Sequence, residues 1–460
     1  MDRRRFLLSL SMVFLACFSC SEGGGLPSVT SSKGTVEDIR EFAQREDTNV
    51  LFVVIDTLRA DHLSAYGYER ETSPLLEELA ETGVRFDRHV AQSSWTKCSM
   101  ASLWTGMYPA TTGVTRASHV LPDDAVLPAE VLQEAGFRTA GIWRNSWIAP
   151  NFGFSQGFQT YTKPAPSTSP QPNPAESPNV LLAGSDGDVI NSAFGFLRAY
   201  GQKRWFLYLH LMDVHQYVYS PDEAVFGTTY EDIYDNAILW TDHLLGYLLD
   251  DLQDRGLLER TLIVVVSDHG EAFGEHGGEG HARNVYEEVT RTPWIIRFPF
   301  ELEEGIEVSS LTANVDVWPT LMDLLGLSEM EGADGKSRVP EIIAFGRGEE
   351  PPPESDAFAL LDRRWGHEQQ PSNPNIAVNQ GKWRFFQIER NPDRLELYDK
   401  SIDPAEEVNL ANENPEVVKA LQGVIAEHLE DSSPPWGEAP TIEIDELQLN
   451  QLRALGYGVQ

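Results

Sequence analysis

The sequence has very few cysteines. Only Cys17, Cys20 and Cys98 occur among 460 residues. If the chain is cleaved near Cys20, Cys98 is the one cysteine left in the folded body, and no intrachain disulfide can form. A disulfide-stapled scaffold is therefore excluded, and the fold must be held by a hydrophobic core, for which 41% apolar residues are sufficient.

Basic residues are scarce as well. Lys and Arg together number 35 against 71 Asp and Glu, which gives a formal net charge of −36. Contacts to phosphate groups need clusters of Lys and Arg. We therefore expect neither nucleic acid nor an anionic membrane surface as the main partner.

The sequence also lacks a long apolar segment after its N-terminus. Three arginines at 3–5 precede an apolar stretch over 6–18, which is too short to cross a bilayer comfortably. Residues 1–20 are typical of an export signal of the twin-arginine and lipoprotein types. Cys20 is the preferred anchor, with Cys17 and a plain cleaved signal as alternatives. We expect an exported protein, in the periplasm or on the outer membrane or cell surface, that meets the membrane only through a lipid anchor.

Four continuous apolar runs follow, and helical patterns separate them. The runs are Asn49 to Ile55, Trp205 to Leu211, Thr261 to Val266 and Trp294 to Phe298. Such runs are typical of parallel strands buried on both faces. Helical patterns over 73–83, 128–136 and 230–256 alternate with them. The alternation predicts an α/β fold in which helices sandwich the sheet.

Two Pro-rich breaks divide the chain. Residues 164–178 have the composition of a surface loop, and a second break lies at 349–355. A predicted strand at 383–388 and a helix at 415–429 follow the second break, which indicates a smaller α+β unit. The predicted organisation is a signal at 1–20, a tether at 21–47, a catalytic domain at 48–345, and a C-terminal subdomain with a helical tail at 346–460.

Acidic and imidazole side chains follow three of the apolar runs. Asp56 directly follows the first, Asp213 and His215 follow the second, and Asp268 and His269 follow the third. In open α/β sheets, ligands bind beyond the carboxyl ends of the strands. Carboxylate and imidazole groups together suit one divalent metal ion such as Zn, Mn, Mg or Ca. The sequence therefore predicts a metal site at this edge of the sheet.

A hydroxyl-rich segment at 93–106 offers a nucleophile. Ser93, Ser94, Thr96 and Ser99 lead into a helical pattern that ends near Gly106. The free N–H groups of a helix N-terminus favour a phosphate or sulfate group. A hydroxyl that contacts a divalent ion there would be activated for attack on such a group.

Several segments resemble motifs of the sulfatase family within the alkaline phosphatase superfamily. They occur in the family order and span about 49–411 of the chain. The resemblance implies an alkaline-phosphatase-like fold with a smaller C-terminal subdomain, and an enzyme that hydrolyses phosphoric or sulfuric esters. The segments are Ile55-Asp56-Thr57-Leu58-Arg59-Ala60-Asp61-His62, Leu103 to Pro109, Ser267 to Gly277, Tyr286-Glu287-Glu288 with Arg291-Thr292-Pro293, and Asp403 to Leu410.

The resemblance also implies where the nucleophile lies. Formylglycine-dependent sulfatases carry a Cys or Ser in a C/S-x-P-x-R motif, with Thr-Gly nine and ten residues later. Nine residues before Thr105 stands Thr96, and Cys98 has neither Pro at +2 nor Arg at +4. We therefore expect no formylglycine and an unmodified Thr96, similar to the branch that includes phosphoethanolamine transferases. Met100 stands where the family usually has Arg or His, so a basic or hydrogen-bonding partner for the nucleophile is expected to be missing.

The resemblance assigns further residues. His281 falls where the family binds the anionic ester group, and His215 where the family has a His near the leaving group. Either could act as general acid, and Arg59 is expected to contact substrate oxygens. The metal ligands that the resemblance implies are Asp56, Thr96, Asp268 and His269.

Together these observations predict a metal-dependent hydrolase of a phosphate or sulfate ester carried by a small molecule, a glycan or a lipid. An unmodified Thr96 can form only an ordinary ester intermediate, which favours phosphate. A phospho-transferase of the same superfamily is the nearest alternative, although such enzymes usually carry transmembrane helices. A non-catalytic surface binding protein that keeps the fold is the other alternative.

Overall fold

The structure is a computed structural model that describes residues 32–167 and 184–444. The predicted signal, both candidate anchor cysteines and much of the predicted tether lie outside the described residues. So do residues 168–178 of the predicted Pro-rich loop and the end of the predicted helical tail.

The described residues form sixteen strands. In chain order they are β1 (Lys33–Gly34), β2 (Asn49–Ile55), β3 (Val84–Val90), β4 (Arg138–Trp143), β5 (Thr160–Thr162), β6 (Trp205–Leu211), β7 (Thr261–Val266), β8 (Ala272–Phe273), β9 (Glu279–Gly280), β10 (Trp294–Arg297), β11 (Glu301–Leu302), β12 (Ile306–Ala313), β13 (Ala357–Asp362), β14 (Pro374–Gln380), β15 (Trp383–Ile388) and β16 (Asn391–Asp399).

Twelve α-helices occur in the same ranges, and none of them is both long and apolar enough to span a bilayer. They are α1 (Val36–Arg40), α2 (Pro74–Glu81), α3 (Thr96–Thr105), α4 (Pro109–Thr112), α5 (Pro128–Glu134), α6 (Asp186–Tyr200), α7 (Asp213–Gln216), α8 (Tyr230–Asp254), α9 (Glu287–Thr290), α10 (Val317–Leu324), α11 (Val339–Arg347) and α12 (Pro415–Asp431).

An eight-stranded sheet forms the centre of the molecule, in the order β12-β3-β10-β7-β2-β6-β4-β5. Its three middle apolar strands β2, β6 and β7 are fully buried along their length, because helices cover both faces. Val50, Phe52 and Val54 point into one core, and the alternate residues of β2 point into the other. Helices α3, α5 and α10 cover the first face, and α2, α6 and α8 cover the second. The predicted α/β fold class is confirmed.

The strand that begins at Trp294 differs from the prediction in its direction. β10 pairs antiparallel with both β7 and β3, whereas β2 is parallel to β6 and β7. The chain between β7 and β10 stays near the carboxyl end of β7, where Gly270 N donates to Val289 O at 3.1 Å. Strand β10 therefore begins at the carboxyl end of β7 and runs in the opposite direction to it. A continuous apolar run cannot report this direction, because both faces of β10 are buried in either case.

A separate four-stranded antiparallel sheet, β13-β14-β15-β16, forms the smaller C-terminal unit. Helix α12 packs on one face through Val418, Leu421 and Ile425. The other face meets the larger unit that contains the central sheet, where the fully buried Arg384 donates to Thr290 Oγ1 at 2.7 Å and also to a main-chain carbonyl. Strand β15 and helix α12 correspond to the predicted strand at 383–388 and helix at 415–429.

Candidate active site

Polar residues lie at or near the carboxyl ends of three neighbouring strands of the central sheet. β2 lies between β6 and β7 and is parallel to both, so the three carboxyl ends are adjacent. Asp56 follows β2, Asp268 follows β7, and His210 lies one residue before the end of β6. All three side chains are fully buried.

Helix α3 begins at the same edge. Its first residue is Thr96, whose hydroxyl Oγ1 lies 3.2 Å from His269 Nε2. One turn later, Ser99 Oγ donates to the carbonyl of Asp268 at 2.5 Å. Because Thr96 and Ser99 are three residues apart, they share one helix face, and that face is held against the end of β7.

Asp56, Asp268 and His269 form a compact group that we call the rim cluster. One ligand atom of each residue lies within 4.8 Å of the others. Asp56 Oδ1 and Asp268 Oδ2 are buried, and neither accepts a hydrogen bond in the described part of the chain. Buried carboxylate oxygens without partners are costly, and a bound cation is one way to satisfy them.

Hydrogen bonds fix Asp56 Oδ2 and His269 Nδ1. They leave Asp56 Oδ1 and His269 Nε2 directed into the space that the rim cluster shares. Asp56 Oδ2 accepts from Asn145 Nδ2 at 2.6 Å and from His210 Nε2 at 2.9 Å. His269 Nδ1 donates to the Gly270 carbonyl at 2.9 Å, which leaves the lone pair of Nε2 facing Thr96. A ligating imidazole usually donates its other N–H in this way.

The electrostatics of the rim cluster agree with a cation site. Burial and the neighbouring Asp56 raise the pKa of Asp268 above its ordinary value, because two carboxylates crowd one dry space. Burial alone would also raise the pKa of Asp56, but His215 and His210 hold it below the usual range. Two carboxylates, an imidazole and a hydroxyl form a donor set that fits a divalent ion.

Two further histidines lie beside the rim cluster. The ring of His281 is centred 4.6 Å from that of His269 and 5.0 Å from that of His215. His281 Nδ1 lies 3.1 and 3.2 Å from the two carboxylate oxygens of Glu271. Burial would lower the pKa of His281, but the charge of Glu271 raises it above the ordinary value. Burial instead lowers the pKa of His215 to about 4, so His215 is neutral near pH 7.

Comparison with known families identifies what this arrangement belongs to. The profile described as "Sulfatase" matches residues 48–327, which is more than half of the chain. The chain belongs to the sulfatase family. A second profile, "N-sulphoglucosamine sulphohydrolase, C-terminal", matches residues 274–433. The predicted sulfatase-family ester hydrolase is confirmed by this membership, and the fold agrees with the alkaline phosphatase superfamily.

Similar proteins of known function and structure include several sulfatases. An N-acetylgalactosamine-6-O-sulfatase of Bacteroides thetaiotaomicron is 25% identical, over 82% of this chain and 92% of that protein. An ulvan-active sulfatase of Formosa agariphila is 24% identical, over 83% of this chain and 81% of that protein. The structure of a 2-O GAG sulfatase superposes with a TM-score of 0.68 at 18% identity, covering 90% of this chain and 96% of that chain. This last likeness supports the fold alone.

Arg59 is placed differently from the other predicted site residues of this sulfatase-family chain. Its Nε and Nη2 donate to the two oxygens of Asp61 at 2.9 and 2.8 Å. Its Nη1 donates to the carbonyl of Glu271 and to Glu275 Oε1. Arg59 is 6% exposed, and every nitrogen of its guanidinium donates a hydrogen bond. Arg59 Nη1 thereby holds the main chain of Glu271, and its predicted contact with substrate oxygens stays a prediction.

Cys98 lies on the other side of helix α3 from Thr96. Its Sγ is directed at the carbonyl of Leu360 in β13, at 4.0 Å. The thiol is 1% exposed, and burial raises its pKa to about 12. The two candidate nucleophiles of the segment therefore face different parts of the molecule.

Thr57, which follows Asp56, has a strained backbone. Its φ of 61° lies in the left-handed region, which is unfavourable for a β-branched residue. The conformation directs Thr57 N toward Asp268 Oδ1 at 3.3 Å, while Thr57 Oγ1 donates to the Asp56 carbonyl at 2.7 Å. The strain is thus located between two residues of the rim cluster.

A second group of similar composition lies where the loop after β8 meets helix α9 and the C-terminal unit, and we call it the loop cluster. It consists of His276, Glu288 and Glu406. His276 Nδ1 lies 3.1 Å from Glu288 Oε1, and His276 Nε2 donates to the Glu406 carbonyl at 3.0 Å. Both ring nitrogens are occupied, and the hydrogen bond to Glu288 raises the pKa of His276 to about 9 although burial opposes it. Both ring nitrogens that a metal would need are thus already hydrogen bonded, and His276 and Glu288 form an ion pair in this cluster.

Sequence reasoning missed three residues of the site. Asn145 donates both to Asp56 and, at 3.3 Å, to Thr96 Oγ1, so it supplies the hydrogen-bonding partner of Thr96 that the motif was expected to lack. His210 is hidden inside an apolar strand, where its side chain gave no separate signal. Glu271 stands within the quoted motif 267–277 but was given no role. A polar residue two positions after the end of β4 was the available signal for Asn145.

Proposed function

We propose that the chain hydrolyses a sulfate ester carried by a sugar, with Thr96 as the nucleophile at a single divalent-metal site. The observation that carries the proposal is the position of Thr96 Oγ1. It lies against His269 Nε2, beside two buried carboxylate oxygens that have no hydrogen-bond partner among the described residues. A hydroxyl in such a place is the group of the segment best suited to attack.

Asp56, Asp268, His269 and Thr96 would hold the ion. When bound, a divalent ion supplies positive charge that favours the deprotonated hydroxyl and offsets the charge of the ester group. Asn145 orients Thr96 through its hydrogen bond to Oγ1, and it fixes Asp56 at the same time. The helix N-terminus at Thr96 adds N–H groups that favour the anionic sulfate.

In the first step, Thr96 Oγ, having lost its proton, attacks the sulfur atom. The bond between sulfur and the sugar oxygen breaks, and the sulfuryl group is transferred to Thr96. The sugar oxygen leaves with a proton from a histidine. We assign this acid to His281, because the paired Glu271 carboxylate favours the protonated ring. His215, which is buried and neutral, is suited to position the substrate.

In the second step, water attacks the sulfur of the Thr96 sulfate ester. His281, now neutral, takes a proton from the water. The bond between Thr96 Oγ and sulfur breaks, so that inorganic sulfate leaves and the alkoxide of Thr96 is restored. The sum is one ester and one water converted to one alcohol and one hydrogen sulfate, which ionises in solution.

Formylglycine has no place in this proposal. Modification of Cys98 would put an aldehyde next to Leu360 in the C-terminal sheet, on the far side of α3 from His269. The spacing to Thr105-Gly106 also selects Thr96. Reaching the rim cluster from position 98 would require α3 to rotate by about half a turn.

The substrate class follows from the relatives and not from the nucleophile. The chemistry of an unmodified Thr favours phosphate, but the relatives reported above act on N-acetylgalactosamine 6-O-sulfate and on ulvan, by their names. We therefore propose a sulfated glycan as substrate and do not retain the phospho-transferase alternative. Export with a lipid anchor at Cys20 or Cys17 remains part of the proposal, and labelling with a lipid precursor in Cys20→Ala and Cys17→Ala variants would test it.

The decisive experiment compares the wild type with Thr96→Ala, Thr96→Ser and Cys98→Ala. Each is assayed on p-nitrophenyl sulfate, p-nitrophenyl phosphate and a 6-O-sulfated sugar, with a panel of divalent ions. We expect sulfate to be preferred, Thr96→Ala to lose at least about 1000-fold of the activity and Cys98→Ala to remain active. Thr96→Ser should keep part of the activity.

Mass spectrometry of the peptide that contains residues 96–105 should find both Thr96 and Cys98 unmodified. A formylglycine at position 98, together with an inactive Cys98→Ala, would overturn the assignment of the nucleophile. A preference for phosphate would overturn the substrate class while leaving Thr96 in place.

A further inference from the structure

A pocket of about 220 Å³ lies between the loop after β8 and the C-terminal sheet. Three arginines line it, each from a different part of the chain. Arg283 comes from the loop, Arg363 from the turn after β13, and Arg394 from β16. The pocket is thus built jointly by the catalytic unit and the C-terminal unit.

The charge of this pocket is opposite to that of the protein. The chain has 71 acidic and 35 basic residues, yet the one carboxylate lining the pocket is Glu396. Glu396 is already satisfied, since Arg394 Nε donates to it at 2.8 Å and Tyr286 Oη at 2.7 Å. Arg283 and Arg363 are exposed, and neither forms an ion pair with any residue that the structure describes. Two guanidinium groups are therefore available for an anion.

The pocket also contains an unsatisfied polar group. Asn375 is 6% exposed, and its side-chain Oδ1 is buried without a hydrogen-bond partner in the described ranges. Phe386 and Ile388 form the apolar side of the same pocket. A buried amide next to an apolar wall and two cations is suited to a sugar that carries an acidic group, because its hydroxyls can pair with the amide.

The pocket is close to the proposed active site along the chain and in space. Arg283 follows His281 by two residues, so their backbones are within about 7 Å of each other. The residue between them, Ala282, donates its N–H to the Ser94 carbonyl at 2.8 Å and accepts from Trp365 Nε1 at 3.2 Å. The loop is therefore fixed beside the segment that leads to Thr96.

We propose that this pocket is a subsite for a second anionic group, a sulfate or a carboxylate, on the same glycan chain as the ester that is cleaved. Arg283 and Arg363 pair with the anion, and Asn375 contacts a hydroxyl of the same sugar. The inference rests on the proposed function for the identity of the substrate. It implies an enzyme that prefers glycans with repeated negative charges over singly charged esters.

A binding experiment tests the subsite without hydrolysis, because every protein in it, including the reference wild type, also carries Thr96→Ala. The probes are a tetrasaccharide of uronic acids, a tetrasaccharide of neutral sugars that carries sulfate esters, and the same neutral tetrasaccharide without sulfate. The proteins are the full chain, the Arg283→Ala/Arg363→Ala double variant, and Arg198→Ala, which removes an exposed arginine on α6 outside the pocket. Calorimetry at low salt should show binding of a charged tetrasaccharide about tenfold weaker in the double variant, because two charge-assisted contacts are lost.

Arg198→Ala should bind the charged tetrasaccharides as the wild type does, and the neutral tetrasaccharide should bind weakly and equally to all three proteins. Weakening for only one of the two charged probes identifies the anion as carboxylate or sulfate. Equal affinity of the wild type and the double variant for both charged probes would overturn the subsite, and so would an equal loss in Arg198→Ala.

A kinetic experiment separates this inference from the proposed function. The ratio of kcat/KM for the sulfated tetrasaccharide to kcat/KM for p-nitrophenyl sulfate should fall about tenfold in the double variant. If no ester is cleaved but binding still depends on the arginines, the proposed function fails and the subsite stands. If esters are cleaved and neither the ratio nor the binding changes, the subsite fails and the proposed function stands.

Discussion

The rim cluster and the loop cluster contain the same types of side chain but differ in whether their polar atoms are already hydrogen bonded. Each joins one histidine to two carboxylates within 4.8 Å. In the rim cluster, Asp56 Oδ1 and Asp268 Oδ2 are buried without hydrogen-bond partners among the described residues. In the loop cluster, both nitrogens of His276 are hydrogen bonded. The comparison favours the rim cluster as the candidate cation site, because its polar atoms are left open while those of the histidine in the loop cluster are already paired.

The surrounding contacts explain why the clusters differ. Asn145 and His210 occupy only Oδ2 of Asp56, so the second oxygen stays directed into the shared space. In the loop cluster, the main chain of Glu406 takes the nitrogen that a metal would need. The variants described below test this difference between the two clusters, in order from the largest expected effect to the smallest.

The largest effect is expected from removing one open oxygen of the rim cluster. Asp268→Asn should lose the bound divalent ion and at least about 1000-fold of kcat/KM, because the ion supplies much of the charge stabilisation. Glu288→Gln, the matched change in the loop cluster, should keep one ion per chain and activity within about threefold. Metal analysis of the purified proteins and an ester assay measure both. Two ions per wild-type chain would contradict the contrast.

A smaller effect is expected from the residue that orients the rim cluster. Asn145→Ala removes the donor to Asp56 and to Thr96 while leaving all proposed ligands in place. We expect metal affinity or kcat to fall by about 10- to 100-fold, as for other partners of ligating groups. Titration with a chelator and steady-state kinetics separate the two quantities. Unchanged values for both would show that Asn145 has no part in the site.

The contribution of the loop cluster to the stability of the protein should depend on pH. The folded pKa of His276 is raised to about 9, above its unfolded value of about 6.5. The contribution of His276 to stability is therefore fully present below about pH 6.5 and is lost as the pH rises through about 9. His276→Gln should lower the melting temperature most at pH 6 and least at pH 10. A melting-temperature difference that does not shrink with rising pH would refute the ion pair.

The smallest effect is expected at Thr57, the residue with strained backbone that follows Asp56. Thr57→Gly relieves the left-handed backbone but loses the bond from Oγ1 and adds freedom to the unfolded chain. These terms are each about 1 kcal/mol, so the free energy of unfolding should change by less than about 1 kcal/mol. Thr57→Val keeps the strain, loses the bond and should cost about 1 kcal/mol. Urea unfolding of both variants measures the difference.

Much of the fold could be predicted because burial on both faces leaves a plain signal. The runs at 49–55, 205–211 and 261–266 are β2, β6 and β7, and the helix expected at 230–256 is α8 (Tyr230–Asp254). The capping and Pro signals near Ser73 located α2. The direction of β10 was not predictable, because a doubly buried strand has the same composition whichever way it runs.

The site was predictable only where a residue ends a strand or belongs to a motif. Asp56, Asp268 and His269 met both conditions, and the structure brings them together. Asn145 and His210 met neither clearly, since their importance comes from which oxygen of Asp56 they occupy. The ion pairs of Arg59 with Asp61 and Glu275 were likewise not indicated by its position in the motif. Hydrogen-bond partners across more than 80 residues of chain are not encoded in local patterns.

The contact between helix α3 and the C-terminal sheet has a consequence for synthesis. Cys98 is covered by Leu360, 262 residues later, and Trp95 is stacked on Trp365 with ring centres 4.5 Å apart. On the ribosome, helix α3 therefore emerges long before the C-terminal residues that cover it. Until residues beyond 365 are free, a nascent chain presents an uncovered tryptophan and a free thiol. A chain that stops at residue 345 would lack both contacts, so part of the surface of helix α3 would stay exposed in it.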